Sequence, residues 1–202
     1  GIMSFLAPLG GRNRYMADQH YTKALEAYQK RRLDDALTEV AESIRLFPQE
    51  SEYHAAQGIF QLEVPDEAAA RASFERALQQ HEGEAAANYG MGVIAFNSRD
   101  YTGALEHFSR ARIVDPNRPE TLYYMALSYH RQQDNVNAKA LMDIAADLMD
   151  AKNDRRKLNA RKWQREFEKL IRQAEKTLPP DKPTAPLPPM NQRPLLAEPE
   201  DK

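Results

Sequence analysis

Hydrophobic residues recur along most of this chain at spacings of three and four positions with polar residues between them, which is the pattern of amphipathic α-helices. The pattern of residues 85–118 returns in the segments of equal length before and after it, 17–50, 51–84 and 119–152. One recurring position, in a first helix that we name helix A, holds small residues: Ala24, Gly58, Gly92 and Ala126. Three more recurring positions lie in a second helix, helix B. The first holds the small residues Ala36, Ala70, Ala104 and Ala138, and the second holds the bulkier residues Val40, Phe74, Phe108 and Met142. The third holds the small residues Ser43, Ala77, Ala111 and Ala145. This register, kept over four copies, predicts an all-α array of stacked helical hairpins.

Prolines and cap residues mark the ends of the predicted units. Pro48 and Pro116 close two of them, because proline cannot continue a helix. Asn13 is predicted to cap the first helix, which leaves the residues before it as a loosely packed lead-in. The chain then divides into a lead-in (1–16), four repeat units (17–50, 51–84, 85–118 and 119–152), a further helix (153–177) and a tail (178–202).

The helix predicted for residues 153–177 has one apolar stripe at helical spacing, formed by Trp163, Phe167, Leu170 and Ile171. The end of a stacked array needs a helix that is apolar on its inner side and polar outside, so we predict that this segment is a cap. It is also basic, with ten lysines and arginines against four acids over residues 152–176. A membrane surface or an acidic partner is therefore an alternative ligand for it.

The tail after Thr177 is rich in proline and poor in large apolar residues. Such a composition cannot bury enough apolar surface to fold, so we predict an extended, disordered segment. Residues 183–186 match the PxxP pattern, which is common in proline-rich tails and is weak evidence of a ligand.

Composition narrows the classes of partner. A formal net charge of −2 over 202 residues argues against nucleic acid. The chain has no cysteine, which excludes disulfides and thiolate metal sites. No apolar run approaches the ~20 residues that cross a bilayer, so we expect any membrane contact to be peripheral. The first residues lack a secretory signal, which favours a cytoplasmic over a periplasmic location without fixing the compartment.

Known catalytic patterns do not occur. The five histidines are scattered and form no HExxH pair, and there is no phosphate-binding loop or nucleophile elbow. His20 and His54 share one repeat position, which the repeat itself explains. We therefore expect a protein that is not an enzyme and that binds no cofactor or metal.

The 34-residue period, the small-residue positions, Tyr101 before helix B and the prolines Pro48 and Pro116 resemble the tetratricopeptide repeat (TPR). The resemblance covers residues 17–152. Departures are the missing large aromatic early in helix A and the loss of the closing proline in units two and four. Pentatricopeptide repeats, which have a longer period and a basic face, fit less well. The resemblance implies a right-handed α-solenoid that acts as a binding scaffold, with a peptide or helix lying in the concave groove formed by the A helices.

The resemblance also implies which residues line that groove. The predicted partner-binding residues are Tyr21, Tyr28, Ile59, Leu62, Tyr89, Val93, Phe96, Asn97, Tyr123, Leu127, His130 and Arg131, with Leu25, Gln29, Ala55 and Glu63 beside them. Tyrosines at this position are also common in ordinary TPR units, so they are either structural or partner-specific. Only Asn97 and Arg131 could clamp a terminal carboxylate. The lining instead fits an apolar or amphipathic protein segment.

Three functions remain open from the sequence. The first is a protein-binding adaptor that uses the groove. The second is an accessory module of a larger complex, for example an envelope or assembly complex, or of a longer multidomain protein. The third is peripheral binding to acidic surfaces through the basic helix. The sequence does not indicate the oligomeric state.

Overall fold

The computed structural model describes the backbone of residues 3–177 and the side chains of residues 11–177. The tail predicted to be disordered lies outside the described residues. Within them, nine α-helices follow one another without a strand: α1 (Met3–Gln29), α2 (Leu33–Leu46), α3 (Ser51–Glu63), α4 (Glu67–Gln80), α5 (Ala85–Asn97), α6 (Tyr101–Val114), α7 (Pro119–Arg131), α8 (Asn135–Ala151) and α9 (Lys157–Thr177).

The helices form four hairpins, α1–α2, α3–α4, α5–α6 and α7–α8, and each hairpin packs on the next. The all-α repeat fold predicted from the sequence is confirmed. No helix in the described part of the chain combines the length and the apolar character needed to cross a membrane.

The repeating small and bulky residues form the contacts between helices. The four alanines at the first helix-B position are fully buried, and so are Val40, Phe74, Phe108 and Met142. Units two and three combine glycine in helix A with phenylalanine in helix B. A Cβ atom added at Gly58 would lie 2.4 Å from the Phe74 ring, and one added at Gly92 would lie 2.5 Å from the Phe108 ring. Units one and four have alanine with the less bulky Val40 and Met142, so the sizes compensate across the interface.

The first helix differs from the prediction. We expected it to begin after Asn13, but α1 begins at Met3 and runs through Asn13, so this residue is not an N-cap. Ala17 is fully buried and Arg14 pairs with Glu50 at 2.8 Å, so the helix continues N-terminally from residues held by the array. Pro8 lies near the start of α1, where it removes one backbone hydrogen bond without ending the helix.

Helix B of units two, three and four begins with an aspartate cap at the same position of each unit. The side chains of Asp66, Asp100 and Asp134 each accept a hydrogen bond from the backbone N–H three residues later, at 3.2, 2.9 and 3.1 Å. Arg32 occupies the same position in unit one and provides no such bond. Its backbone angles, φ −93° and ψ 76°, nearly match those of Asp134, φ −93° and ψ 74°.

Arg32→Asn is therefore expected to raise the free energy of unfolding by about 1 kcal/mol, the usual contribution of an N-cap. Asparagine is chosen because Asp34 and Asp35 already lie in the first turn, and a third carboxylate would repel them. The urea midpoint of Arg32→Asn should rise, and that of the control Asp100→Ala should fall by a similar amount. An unchanged midpoint for Arg32→Asn would contradict the interpretation that position 32 is an N-cap whose side chain provides no capping hydrogen bond.

Helix α9 caps the array, as predicted. Its Ala160 is fully buried and follows Ala126 at the same interval as Ala126 follows Gly92, so α9 continues the small-residue position of helix A as a fifth A helix. Phe167 is also fully buried, and the indole N–H of Trp163 donates a hydrogen bond to the Tyr123 hydroxyl at 3.1 Å. Ion pairs from α9 and the loop before it to α7 and α8 flank this contact: Arg156–Glu120 at 2.8 Å, Lys157–Asp150 at 3.0 Å and Arg161–Asp147 at 3.4 Å.

Candidate functional site

The predicted partner-binding residues lie on the A helices α1, α3, α5 and α7, and we call this surface the A-helix face. Ten of the twelve are half-buried, whereas Asn97 and Arg131 are exposed. Half-burial means that each side chain packs on its neighbours with one part and leaves another part accessible.

In units one and two, tyrosine rings pack between units and their hydroxyl groups bond to glutamates. The Tyr21 ring lies 5.1 Å from the Tyr53 ring, and its hydroxyl donates to Glu52 Oε1 at 3.1 Å. The Tyr28 ring lies 4.8 Å from the Phe60 ring, and its hydroxyl donates to Glu63 Oε1 at 2.5 Å. Burial, followed by the charge of Glu52, raises the pKa of Tyr21 above its usual value. The hydroxyl, which is protonated at neutral pH even with an ordinary pKa, therefore remains a hydrogen-bond donor in more alkaline solution as well.

In units three and four, aromatic rings form a continuous cluster. The Tyr89 ring lies 6.0 Å from Phe108 and 6.2 Å from Tyr124. Phe96 makes edge contacts with Tyr101 at 5.5 Å and with Tyr124 at 5.4 Å. Tyr89 and Phe96 thus contribute both to the interface between units and to the exposed surface. For Tyr89, the structural role is one of the two interpretations that the sequence left open.

The end of the A-helix face in unit four is partly covered by the cap. The His130 ring lies 5.4 Å from Trp163 and 5.2 Å from Phe167, and Tyr123 accepts the indole hydrogen bond. These contacts between α7 and α9 resemble those between the A helices of neighbouring units, for example the contact of Tyr28 in α1 with Phe60 in α3. The sequence analysis predicted that Tyr123 and His130 are accessible to a partner, because it did not recognise α9 as a fifth A helix. Ala160 indicated this, since it continues the small-residue position of helix A.

One residue placed beside the groove is not accessible. Ala55 occupies the tyrosine position in unit two and is fully buried in the cluster that contains Phe74. Its side chain is too short to extend past the surrounding residues to the surface. Leu25, in contrast, is 37% exposed.

A pocket of about 270 Å³ opens beside this face between units three and four and the cap. Its apolar walls are Tyr89, Tyr123, Tyr124 and Met149, and its polar walls are Glu120, Arg156 and Asn159. The sequence identified two of these residues, Tyr89 and Tyr123. The others include residues from the end of helix B and from the cap region, so only the tertiary structure brings them together.

A second, wider hollow of about 550 Å³ lies at the C-terminal ends of the A helices. It is lined by Phe96, Asn97, Arg99, Tyr101 and Arg131. The two residues considered for a carboxylate clamp, Asn97 and Arg131, therefore border one space.

The histidines that share a repeat position have structural contacts. His20 Nδ1 lies 2.6 Å from Glu39, and His54 Nε2 lies 2.8 Å from the carbonyl oxygen of Pro48. Within the described part of the chain, no cluster of three or more histidines, aspartates or glutamates is arranged to hold a metal ion.

Stacked helical hairpins with small residues at the helix contacts and a half-buried A-helix face define a helical repeat protein of the scaffold type. The family model described as tetratricopeptide repeat matches residues 21–85, 66–120 and 89–152. The chain belongs to the tetratricopeptide repeat family, which confirms the resemblance seen in the sequence.

Individual relatives are distant. A stretch of 77 residues, 38% of this chain, is 31% identical to the probable biofilm formation methyltransferase WspC of Pseudomonas putida. The chain spans only 18% of that protein. The structure of PilF from Pseudomonas aeruginosa is similar with a TM-score of 0.59 and 15% identity, over 80% of this chain and 77% of that one.

A third similar protein was solved with a peptide. The first TPR domain of Spaghetti, bound to an HSP90 peptide, has a TM-score of 0.54 and 13% identity, over 59% of this chain and 95% of that one. At these identities the likeness of the two solved structures shows the fold alone.

Proposed function

We propose that the chain is a non-enzymatic adaptor that binds an apolar or amphipathic segment of a partner protein along its A-helix face. The observation that carries this proposal is the row of half-buried aromatic and aliphatic side chains on α1, α3, α5 and α7, which continues into the pocket beside Tyr89. Such a surface is apolar enough to bind a protein segment and already held in place by contacts between units, so little ordering accompanies binding.

The family supports this assignment. TPR proteins are generally scaffolds, and the Spaghetti domain with the same fold carries a bound peptide. The lining of this chain is mostly aromatic and aliphatic, which favours an apolar or amphipathic segment over a terminal carboxylate.

The proposal is tested by capture from native lysate. Tyr89→Ala with Phe96→Ala is expected to lose the specific partner that the unaltered chain retains, because two large anchor side chains are removed from the face. Capture is read by mass spectrometry, and circular dichroism checks that the variant stays helical. The matched control is Ile113→Ala with Val114→Ala, which removes two exposed apolar side chains at the end of α6.

A second variant is needed because Tyr89 and Phe96 also contact Tyr124. Leu25→Lys with Asn97→Lys alters two exposed positions of the same face without touching the core. Both groove variants should lose the partner that the control keeps. A partner retained by both groove variants would contradict the proposal.

The second proposed function is an accessory module within a larger protein or complex. It is supported by the similar stretch in the methyltransferase-named relative, of which this chain matches a small part. Size-exclusion chromatography of native lysate, followed with an antibody to the chain, should place it well above 23.1 kDa. Elution as an isolated chain would argue against this proposal.

The third hypothesis, binding of acidic surfaces through the basic helix, is weakened by the packing of α9. Trp163 and Phe167 face the array, and Arg156, Lys157 and Arg161 pair with acids of this chain. The two aromatic side chains and three of the ten basic side chains of this segment are thus engaged within the chain.

A further inference from the structure

Three glutamates on or beside the A-helix face of units one and two keep an uncompensated charge. Glu52, Glu63 and Glu84 accept hydrogen bonds from the hydroxyl groups of Tyr21, Tyr28 and Ser51 at 3.1, 2.5 and 2.9 Å. These donors are neutral, and within residues 11–177 none of the three glutamates is ion-paired with a lysine or arginine. Each carboxylate therefore retains its negative charge and its capacity to accept charged donors.

The face has a different character in units three and four. Glu120 lies 2.8 Å from Arg156 and 4.0 Å from Arg118, so its charge is compensated. Arg118 also lies over the Tyr89 ring, at 5.0 Å from its centroid. The A-helix face is thus acidic in units one and two and apolar, with paired charges, around the pocket.

The acidic part and the pocket lie on neighbouring A helices. Glu52 and Glu63 belong to α3, which packs on α5, and α5 carries Tyr89 of the pocket wall. Helix α5 in turn contacts α7, which carries Tyr123 and Tyr124. One extended segment lying across these three helices can therefore reach both.

The pocket fits one large apolar side chain. Its volume of about 270 Å³ is below the ~300–1,000 Å³ of pockets that hold drug-sized ligands. Three tyrosine rings and Met149 form its apolar walls, and such surfaces bind aromatic and aliphatic groups.

We propose that the segment bound on the A-helix face is basic: one large apolar side chain enters the pocket of Tyr89, Tyr123 and Tyr124, and lysine or arginine residues beside it bind Glu52 and Glu63. This inference rests on the proposed function and specifies the chemistry of the partner. Charge complementarity carries it, because Glu52 and Glu63 lack cationic partners, whereas the two arginines beside the pocket are already paired with Glu120. An acidic segment would be repelled by units one and two.

The test is selection of a randomised twelve-residue peptide library, displayed on phage, against the full chain. The unaltered chain should enrich peptides that combine a large apolar residue with two or more lysines or arginines. Glu52→Gln with Glu63→Gln removes the charge while glutamine still accepts the tyrosine hydrogen bonds. This variant should keep the apolar preference and lose the basic one. The control, Glu75→Gln with Glu106→Gln, removes two exposed glutamates of the B helices α4 and α6 and should behave as the unaltered chain.

An enriched peptide, made synthetically with a fluorescent label, gives the quantitative result. Its dissociation constant should rise about tenfold or more in the Glu52→Gln/Glu63→Gln variant, and by a similar factor in the unaltered chain when salt is raised. It should be unchanged in the control.

Failure of this inference can be separated from failure of the proposed function. Enriched peptides that bind the A-helix face but are neutral or acidic, or basic peptides unaffected by Glu52→Gln/Glu63→Gln, would overturn the charge assignment alone. Absence of any enrichment, or peptides that bind Tyr89→Ala/Phe96→Ala as tightly as the unaltered chain, would overturn both.

Discussion

Gly58→Ala together with Gly90→Ala is expected to lower the free energy of unfolding by at least about 2 kcal/mol, although alanine alone favours a helix over glycine by about 1 kcal/mol per site. The reason is the Phe74 ring, which is fully buried between the two glycines. Cβ atoms added at Gly58 and Gly90 would lie 2.4 and 2.1 Å from its carbon atoms. The ring cannot move away from one methyl group without approaching the other.

The repeat itself supplies the control that restores packing. The residues equivalent to Gly58, Phe74 and Gly90 one repeat earlier are Ala24, Val40 and Ala56, a buried trio. Adding Phe74→Val to the two alanines copies that trio and should recover most of the lost stability. Chemical denaturation followed by circular dichroism measures each variant.

Gly11→Ala is the matched control for helix propensity, because an added Cβ there meets no atom within 4 Å. It should be neutral or slightly stabilising. If Gly58→Ala/Gly90→Ala were as stable as Gly11→Ala, this result would contradict the close packing of the Phe74 ring between Gly58 and Gly90.

The second large effect is expected at the cap. Phe167→Ala should lower the stability of the C-terminal part of the array by about 3–5 kcal/mol, the usual result of removing a buried phenylalanine side chain. Phe167 is fully buried, and it contacts His130 and Trp163. In a repeat array the loss acts first on the neighbouring unit, so hydrogen exchange should accelerate in α7, α8 and α9 before α1 to α4.

Leu158→Ala provides the comparison on the same helix, because Leu158 is 64% exposed. Its effect should stay within about 0.5 kcal/mol. Faster exchange spread evenly over all helices in Phe167→Ala, or none at all, would contradict the role of α9 as a terminal cap. Loss of the cap should also open the pocket, since Arg156 and Asn159 form part of its wall.

The repeat positions allowed the core to be predicted from the sequence. A residue such as Phe108 returns at a fixed interval, and its burial follows from the contact that every unit makes with the next. The same logic should have identified Ala160, which continues the helix-A position into α9. The apolar stripe of this helix indicated a cap, but it did not give the register.

Features that depend on a single unit were harder to predict. Asn13 resembles a cap, yet the burial of Ala17 and the pairing of Arg14 extend α1 through it. Ala55 shares a position with Tyr21 and Tyr89, but its short side chain is covered by neighbouring residues. The repeat gives the position, whereas the size of one side chain decides its accessibility.

The candidate site was predicted in part. The A-helix face follows from the TPR resemblance, which assigned Tyr28, Tyr89 and Phe96 to one side. The pocket does not, because Tyr124, Met149 and Arg156 come from three separate elements. The hydrogen bonds from Tyr21 and Tyr28 to glutamates also join separate helices, and no pattern within one helix indicates them.

The central claim, that the A-helix face binds a protein segment, is tested most directly by hydrogen–deuterium exchange of the full chain with and without its captured partner. Binding along this face should slow exchange in α3, α5 and α7, most strongly around Tyr89 and Phe96. Helices α4 and α6 should change least, because their outer sides lie away from the bound segment. Protection confined to α4 and α6, or to α9, with no change in α5 and α7, would contradict the claim.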